Sequence, residues 1–259
     1  VNMKYGTKEA DLIAATPYSY KHSELANGDK LEDILGNVTY TNGGYTNSTG
    51  SGTYDGTHTK DAGTANLKQN ITGYTSGTKA GNYTITTNSG AVTITKATAT
   101  LTPTSISKQY GDAAGVNTAL AAEQPAVSGL VNGDTATGAT GTAAYTTTAL
   151  KDSTHTNNVG SHDINIDVSG LSSTNYEFVG ANLTNGATIT PASLTLTASD
   201  VNMKYGTKEA DLIAATPYGS SSSGLTNGDS LADVLSNVNY TNEGYTNSTG
   251  SGTYDGTHT

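Results

Sequence analysis

The chain has 259 residues, of which 12 are basic and 22 acidic, so its net charge is −10. All the basic residues are lysine, and this acidic, arginine-free balance argues against nucleic-acid binding, which needs a basic surface to displace counterions. The absence of cysteine excludes disulfides, thiolate metal sites and cysteine nucleophiles. No apolar run approaches the ~20 residues that span a bilayer as a helix, so we expect no membrane-spanning segment.

Short strands with one apolar face are predicted along most of the chain. Apolar residues alternate with threonine and other polar residues, and clusters rich in Gly, Asn and Ser separate the runs. The predicted strands carry these apolar positions: Tyr83 and Ile85; Val92 and Ile94; Ile164, Ile166 and Val168; Tyr176 and Phe178; Leu194 and Leu196; Val201, Met203 and Tyr205.

Two stretches near the start have helical spacing, residues 7–16 and 29–35. Asp29 is placed to cap the second stretch, with Glu32 reaching back in a capping box. The copy that begins at Asp229 has alanine in place of this glutamate, so its box is expected to be incomplete. The glycine-rich residues after Asp134 predict no more than a turn.

These elements predict a mainly β fold, made of tandem small β-rich domains with one or two short helical turns each. Both an all-antiparallel arrangement and a β-grasp-like α+β unit are compatible with the pattern. We expect the domains to form an elongated array, because neighbouring repeats stabilise units with few large aliphatic residues.

Internal repetition is the strongest feature of the sequence. Residues 201–259 match residues 1–59 at 47 positions, and most differences lie between positions 19 and 30, as in a surface loop. A weaker copy lies between them, because Tyr-Gly pairs and Asn-Gly-Asp triplets recur in register. The Tyr-Gly pairs begin at 5, 110 and 205, and the triplets begin at 27, 132 and 227.

The repetition predicts three units, 1–95, 96–190 and 191–259. The first lacks its opening strand, the second is complete and the third is partial. Neither end of the sequence coincides with a predicted unit boundary, so we expect it to be a segment of a longer array.

Two candidate ion sites deserve consideration. His155, His162, Asp163 and Asp167 combine imidazole and carboxylate, which suit zinc or manganese, but the other units lack the cluster. The Asn-Gly-Asp triplets are oxygen-rich, yet they fit no known calcium loop and are more simply tight turns. We therefore predict no metal site and no cofactor.

No catalytic residue is predicted, since the sequence has no nucleophile elbow, phosphate loop or dinucleotide fingerprint. Tyrosines recur in all units at 5, 110 and 205 and at 40, 145 and 240, which favours buried anchors. The binding residues stay unknown, and the variable segment 19–24 beside Leu25 is the first place to look for them.

The landmarks in their order resemble a known family. They are opening strands (KATATLTP, PASLTLTAS), Tyr-Gly pairs (KQYGD, MKYGT), GLVNGDT at 129–135, YTTT at 145–148, VGSHDINI at 159–166, STNYEF at 173–178 and ATIT at 187–190. Together they resemble the MBG ("mostly beta, glycine-rich") and YDG-type repeats of large bacterial surface proteins, including filamentous-haemagglutinin-like adhesins. The resemblance is best in 96–190, and the outer copies depart from it at 46–59 and 246–259.

The resemblance implies structural stalk repeats of a secreted or cell-surface bacterial adhesin that supports cell adhesion or biofilm formation. It implies no enzymatic activity. The expected partners are neighbouring repeats in a longer chain, with a host surface or identical molecules as candidates. The alternative is that the repeats themselves bind host glycans or proteins, or mediate homophilic contact between cells.

Overall fold

A computed structural model describes residues 1–14, 24–46, 58–200, 202, 204–208, 218–220 and 224–236. The described residues are mostly β with a few short helices, which confirms the predicted fold class. The strands are β1 (Asn2–Lys4), β2 (Leu35–Asn42), β3 (Tyr45–Thr46), β4 (His58–Thr59), β5 (Lys68–Ser76), β6 (Gly90–Ala91), β7 (Thr93–Thr95), β8 (Ala97–Thr102), β9 (Ile106–Gln109), β10 (Ala126–Ser128), β11 (Thr140–Gly141), β12 (Ala144–Thr147), β13 (Gly160–Asp167), β14 (Leu171–Ser172), β15 (Tyr176–Gly180), β16 (Leu183–Thr190), β17 (Leu196–Ala198) and β18 (Tyr218–Ser220). The helices are α1 (Glu9–Ala14), α2 (Leu31–Ile34), α3 (Ala113–Ala121) and α4 (Leu231–Val234).

The chain forms two compact units, and each is assembled from three separate stretches. The first unit comprises Val1–Thr104, Gln124–Tyr145 and Asn165–Asn182, and the second comprises Ser105–Glu123, Thr146–Ile164 and Leu183–Thr259. Each unit therefore contains residues of the middle predicted repeat together with residues of an outer one. The boundaries of the three sequence repeats stay a prediction.

The first unit contains several small sheets. β8 lies between β10 and β15, and β5 lies between β2 and β6. β1 pairs with β7 in parallel, and β15 pairs with β8 in parallel, so that Tyr176 is opposite Ala97. These parallel pairs exclude the all-antiparallel alternative.

Alternation along these strands builds the core of the first unit. The buried cluster consists of Met3, Tyr5, Tyr45, Leu67, Val92, Ile94, Ala97, Ala99 and Tyr176. Tyrosine and alanine supply much of it, which explains how a chain with few large aliphatic residues buries a core.

The second unit is organised around β16. This strand pairs in parallel with β9 and antiparallel with β13, and β12 completes that sheet. Ile164 on β13 and Ile189 on β16 are at most 1% exposed. β17 pairs with β18 in a separate two-stranded ladder.

Helix α3 was not predicted from the sequence. Asp112 caps it by accepting a hydrogen bond from the Gly115 N–H at 2.9 Å, and Val116 and Leu120 are buried. The apolar face of this helix is hard to recognise in the sequence, because alanines and a glycine surround Val116 and Leu120. None of the described helices is long and apolar enough to cross a bilayer.

Helices α1 and α2 lie in the two predicted stretches, but the predicted capping box of α2 is wrong. Lys30 occupies the N-cap, and Asp33 Oδ2 accepts a hydrogen bond from its N–H at 3.1 Å. Asp29 does not act as the N-cap, because its carboxylate is bound by Lys79 and Tyr83. In the third copy, the Ser230 N–H and hydroxyl both donate to Asp233 Oδ2, at 2.8 and 2.6 Å, while Asp233 N–H donates to the Ser230 main-chain carbonyl at 3.1 Å. As predicted, no helix follows Asp134.

The predicted strands at Ile94, Ile164, Tyr176 and Leu196 are confirmed. The strand predicted at Tyr83 and Ile85 is wrong, because residues 84–89 are not in a strand. Val201 and Met203 lie outside the described residues.

Candidate functional site

Two kinds of tight turn recur in the repeats, the Tyr-Gly turns and the Asn-Gly-Asp turns. Each Tyr-Gly turn is closed by a main-chain hydrogen bond of 3.0 Å, from Thr7 N–H to Lys4 O in the first and from Asp112 N–H to Gln109 O in the second. Gly6 and Gly111 have positive φ. Positive φ at this position is the arrangement of a type II turn, which favours glycine.

The Asn-Gly-Asp triplets are tight turns, as predicted. In each, the aspartate N–H donates to the carbonyl three residues before it at 3.0 Å. The central asparagine and glycine both have positive φ, 61° and 78° at Asn132 and Gly133. This backbone suits a type I′ turn.

The first junction joins residues of the first predicted repeat to the turn of the second. Gly6 N–H donates to Thr59 Oγ1 at 2.9 Å, and Thr59 N–H donates to Asn132 Oδ1 at 2.7 Å. Asn132 Nδ2 donates back to Thr59 O at 3.1 Å. The asparagine amide thus pairs with the threonine main chain as a neighbouring strand would.

The second junction repeats this geometry between the second and third predicted repeats. Gly111 N–H donates to Thr156 Oγ1 at 2.8 Å, and Thr156 N–H donates to Asn227 Oδ1 at 2.7 Å. Asn227 Nδ2 donates to Thr156 O at 2.9 Å. The same three bonds at two places indicate that the junction is a property of the repeat.

Close packing explains why the junction needs glycine in the Tyr-Gly turns. A Cβ on Gly6 would overlap Val131, and a Cβ on Gly111 would overlap Thr226, the residues that precede the two turn asparagines. The ring of His58 lies over Gly133, with Nε2 3.1 Å from the site of a Cβ, and His155 lies over Gly228 at 3.6 Å. The Thr-His-Thr histidines therefore cover the turn of the next repeat.

An aspartate–tyrosine cluster supports the first junction. Tyr5 and Tyr176 hydroxyls donate to Asp134 Oδ2 at 3.0 and 2.9 Å, and their rings meet edge to face at 5.6 Å. Val131 N–H donates to the Tyr176 hydroxyl at 3.1 Å. Burial, and then the Asp134 carboxylate, raise the pKa of Tyr176 to about 12. Burial also raises the pKa of Tyr5.

The first repeat has the corresponding pair in Asp29 and Tyr83. The Tyr83 hydroxyl donates to Asp29 Oδ2 at 2.8 Å and accepts from Ala26 N–H at 2.9 Å. Lys79 Nζ adds an ion pair at 2.5 Å, and this contact, followed by the Tyr83 bond, lowers the pKa of Asp29. The Asn-Gly-Asp turn is thus held by a tyrosine in both repeats.

The residues considered as a metal site do not come together in the structure. His155 Nδ1 contacts Asp152 at 2.9 Å, and His162 Nε2 contacts Asn158 O at 2.7 Å. Asp163 accepts from Asn185 N–H at 2.9 Å. Within the described ranges, no three His, Asp or Glu side chains are grouped as metal ligands.

The recurring tyrosines do not all serve as buried anchors. Tyr5 is 5% exposed, but Tyr205 is 95% exposed, so the prediction is wrong at Tyr205. Tyr5 is covered by Asp134 and Tyr176 of the following repeat, and no described residue covers Tyr205 in this way. Tyr40, Tyr110 and Tyr145 are half-buried, and Tyr240 lies outside the described residues.

Sequence reasoning did not identify Thr59, Thr156, Asn132 or Asn227 as junction residues. The signal was present, because the Thr-His-Thr and Asn-Gly-Asp motifs recur together. What the sequence could not show is that the threonine of one repeat binds the asparagine of the next.

Replacing Asn132 by glycine should destabilise the first unit by about 1–3 kcal/mol, because a buried threonine N–H and C=O lose their partner. Glycine tolerates the positive φ, so the change removes only the side chain. Asn66→Gly is the matched control, since Asn66 has φ 62° and an exposed side chain. Urea denaturation followed by circular dichroism measures the difference, and equal losses in both variants would contradict the junction.

Ionisation of the buried tyrosines should lower stability at high pH. The pKa values of Tyr5 and Tyr176 are raised in the folded state, so their contribution is complete below the ordinary pKa of about 10 and falls as the pH rises above it. The contribution of Tyr176 is lost by about pH 12. Absorbance titration at 295 nm should show one fewer late-titrating phenol in Tyr176→Phe than in the parent. In urea, the two titrations should lose their late phase. An unchanged late phase in folded Tyr176→Phe would argue against this assignment.

A scan against family models matches residues 99–186 to the MBG domain, YGX type. The match covers about a third of the chain and falls inside the predicted repeat 96–190. No curated protein and no solved structure was found to match. The matched segment contains Gly111, Asn132 and Thr156, and so contributes to both junctions. Residues 99–186 are therefore similar to the MBG domain family of the YGX type, as the resemblance implied.

Proposed function

We propose that this chain is a series of non-catalytic stalk repeats of a secreted or cell-surface bacterial adhesin, where it supports cell adhesion or biofilm formation. The match of residues 99–186 to the MBG domain supports this, since that family is typical of extracellular surface proteins. The observation that carries the proposal is the recurrence of the same junction at Thr59 and Thr156.

A stalk must hold neighbouring repeats in a fixed relative orientation, and the contacts of the junction are suited to this. A covalent linker alone leaves neighbouring domains free to rotate. Here, the turn of each following repeat is held by two hydrogen bonds to a threonine that is at most 2% exposed. Because the asparagine amide bonds both the N–H and the C=O of the threonine, it restrains the orientation of the turn as well as its distance from the threonine.

The aspartate–tyrosine cluster adds a second restraint. Tyr5 comes from the first repeat, and Asp134 and Tyr176 come from the second, so this contact crosses the predicted boundary. Two separate points of attachment oppose both bending and twisting. The expected partners of each repeat are therefore its neighbours in the chain.

Small-angle X-ray scattering of the whole chain tests the stalk. A single compact body of 259 residues has a radius of gyration of about 18 Å, whereas a row of repeats adding roughly 35 Å each should exceed about 25 Å. The profile should also show rigid-rod behaviour, which the double variant Asn132→Gly/Asn227→Gly weakens and Asn66→Gly leaves unchanged. A compact profile in the parent chain would contradict the proposal.

A further inference from the structure

The asparagine of each junction is followed by glycine, and this pair of residues is chemically labile. The main-chain nitrogen of the following residue can attack the asparagine Cγ, and glycine permits this most readily because it has no side chain to obstruct the approach. Asn132-Gly133 and Asn227-Gly228 therefore place a pair that favours deamidation at the contact between two predicted repeats.

Deamidation at Asn132 needs no reactant other than water. The Gly133 nitrogen loses its proton and forms a bond to Asn132 Cγ, the bond from Cγ to Nδ2 breaks, and the amide leaves as ammonia. The resulting succinimide ring is opened by water at either of its two carbonyls. The product is aspartate or isoaspartate, so a neutral amide is exchanged for a carboxylate.

The closed junction opposes this reaction. Asn132 Oδ1 accepts from Thr59 N–H at 2.7 Å, and Nδ2 donates to Thr59 O at 3.1 Å. The second of these bonds must be lost, because Nδ2 is the leaving group. Ring closure also turns the side-chain amide toward its own main chain and away from Thr59. Deamidation therefore requires the junction to open first.

The second junction has the same protection. Asn227 Oδ1 accepts from Thr156 N–H at 2.7 Å, and Nδ2 donates to Thr156 O at 2.9 Å. Thr59 and Thr156 are at most 2% exposed, so in both junctions the asparagine amide is bonded to a buried main chain.

The product of the reaction cannot restore the junction. Aspartate at position 132 has no N–H to donate, so a carboxylate oxygen would face the Thr59 carbonyl, and two acceptors repel each other. The Asp134 carboxylate, two residues further on, already accepts hydrogen bonds from Tyr5 and Tyr176. Isoaspartate also adds a methylene group to the main chain of the tight turn. Opening of the junction thus permits a reaction that keeps it open.

We propose that Asn132 and Asn227 are deamidation sites that the closed junction protects, and that deamidation permanently separates each turn from its threonine. The rate of modification depends on how often the junction opens. This inference goes beyond the stalk function, because it concerns a covalent change in the chain and holds whether or not the chain is a stalk.

Two glycine variants test the protection. Gly6→Ala opens the first junction and Gly111→Ala the second, because each added Cβ overlaps the residue before the turn asparagine. The folded chains are kept at mildly alkaline pH, and peptide mass spectrometry measures aspartate and isoaspartate at each Asn-Gly pair. In the parent chain, Asn132 and Asn227 should deamidate at least about 10-fold more slowly than in urea. Gly6→Ala should accelerate only Asn132, and Gly111→Ala only Asn227, so each variant is the control for the other.

The pair Asn42-Gly43 separates junction opening from unfolding of the first unit. Asn42 is 4% exposed, and its Nδ2 donates to Gln69 Oε1 at 3.3 Å, away from the junction. Asn42 should therefore stay slow in Gly6→Ala. Equal acceleration at Asn42 and Asn132 would place the protection in the fold of the unit rather than in the junction, and would overturn the proposal.

Asn132→Asp reproduces the product and tests its effect without waiting for the reaction. The Thr59 amide should exchange at least about 10-fold faster in this variant than in the parent. Asn66→Asp is the matched control, since Asn66 has φ 62° and an exposed side chain, and it should leave this amide unchanged. A Thr59 amide that exchanges equally slowly in Asn132→Asp and the parent overturns the proposal. So do equal deamidation rates at Asn132 in the folded chain and in urea.

Discussion

The asparagine of each Asn-Gly-Asp turn, paired with the main chain of a threonine from the preceding repeat, is the contact on which the junctions depend. Buried main-chain N–H and C=O groups require partners, and those of Thr59 and Thr156 lie in the interior. A side-chain amide can bond both groups because its oxygen accepts and its nitrogen donates. Both asparagines have positive φ, as the tight turn requires.

The remaining features of the junction follow from that contact. The following repeat must approach closely, so the Tyr-Gly turns require glycine where Val131 and Thr226 pack. The threonine hydroxyl is then free to accept the glycine N–H, and the histidine before it covers the turn. With only 40 Leu, Ile, Val and Phe residues among 259, the repeats have little apolar surface to bury. Specific polar contacts across the junctions, together with buried tyrosine and alanine, supplement this thin core.

Much of the local structure could be predicted from sequence, and the failures share a physical cause. Alternation located β7, β13, β15 and β17, and Asn-Gly pairs located the turns, since these patterns depend on neighbours in sequence. Ile85 alternates in the same way, yet no described strand pairs with its segment and the segment is not a strand, because pairing rather than pattern stabilises an extended chain. Likewise, Tyr205 has the same flanking sequence as Tyr5 but is exposed, because burial of Tyr5 depends on residues more than 120 positions away. The junction itself requires contacts between repeats, and no local pattern encodes these.

Amide hydrogen exchange at Thr59 and Thr156 tests the junction most directly. Both N–H groups donate to an asparagine side chain of the following repeat. If the junctions hold in solution, both amides should exchange at least about 100-fold more slowly than in an unstructured peptide, because exchange requires the junction to open. Exchange of both amides at the unstructured rate, with β8 and β16 still protected, would show that the repeats fold without joining and would contradict the account.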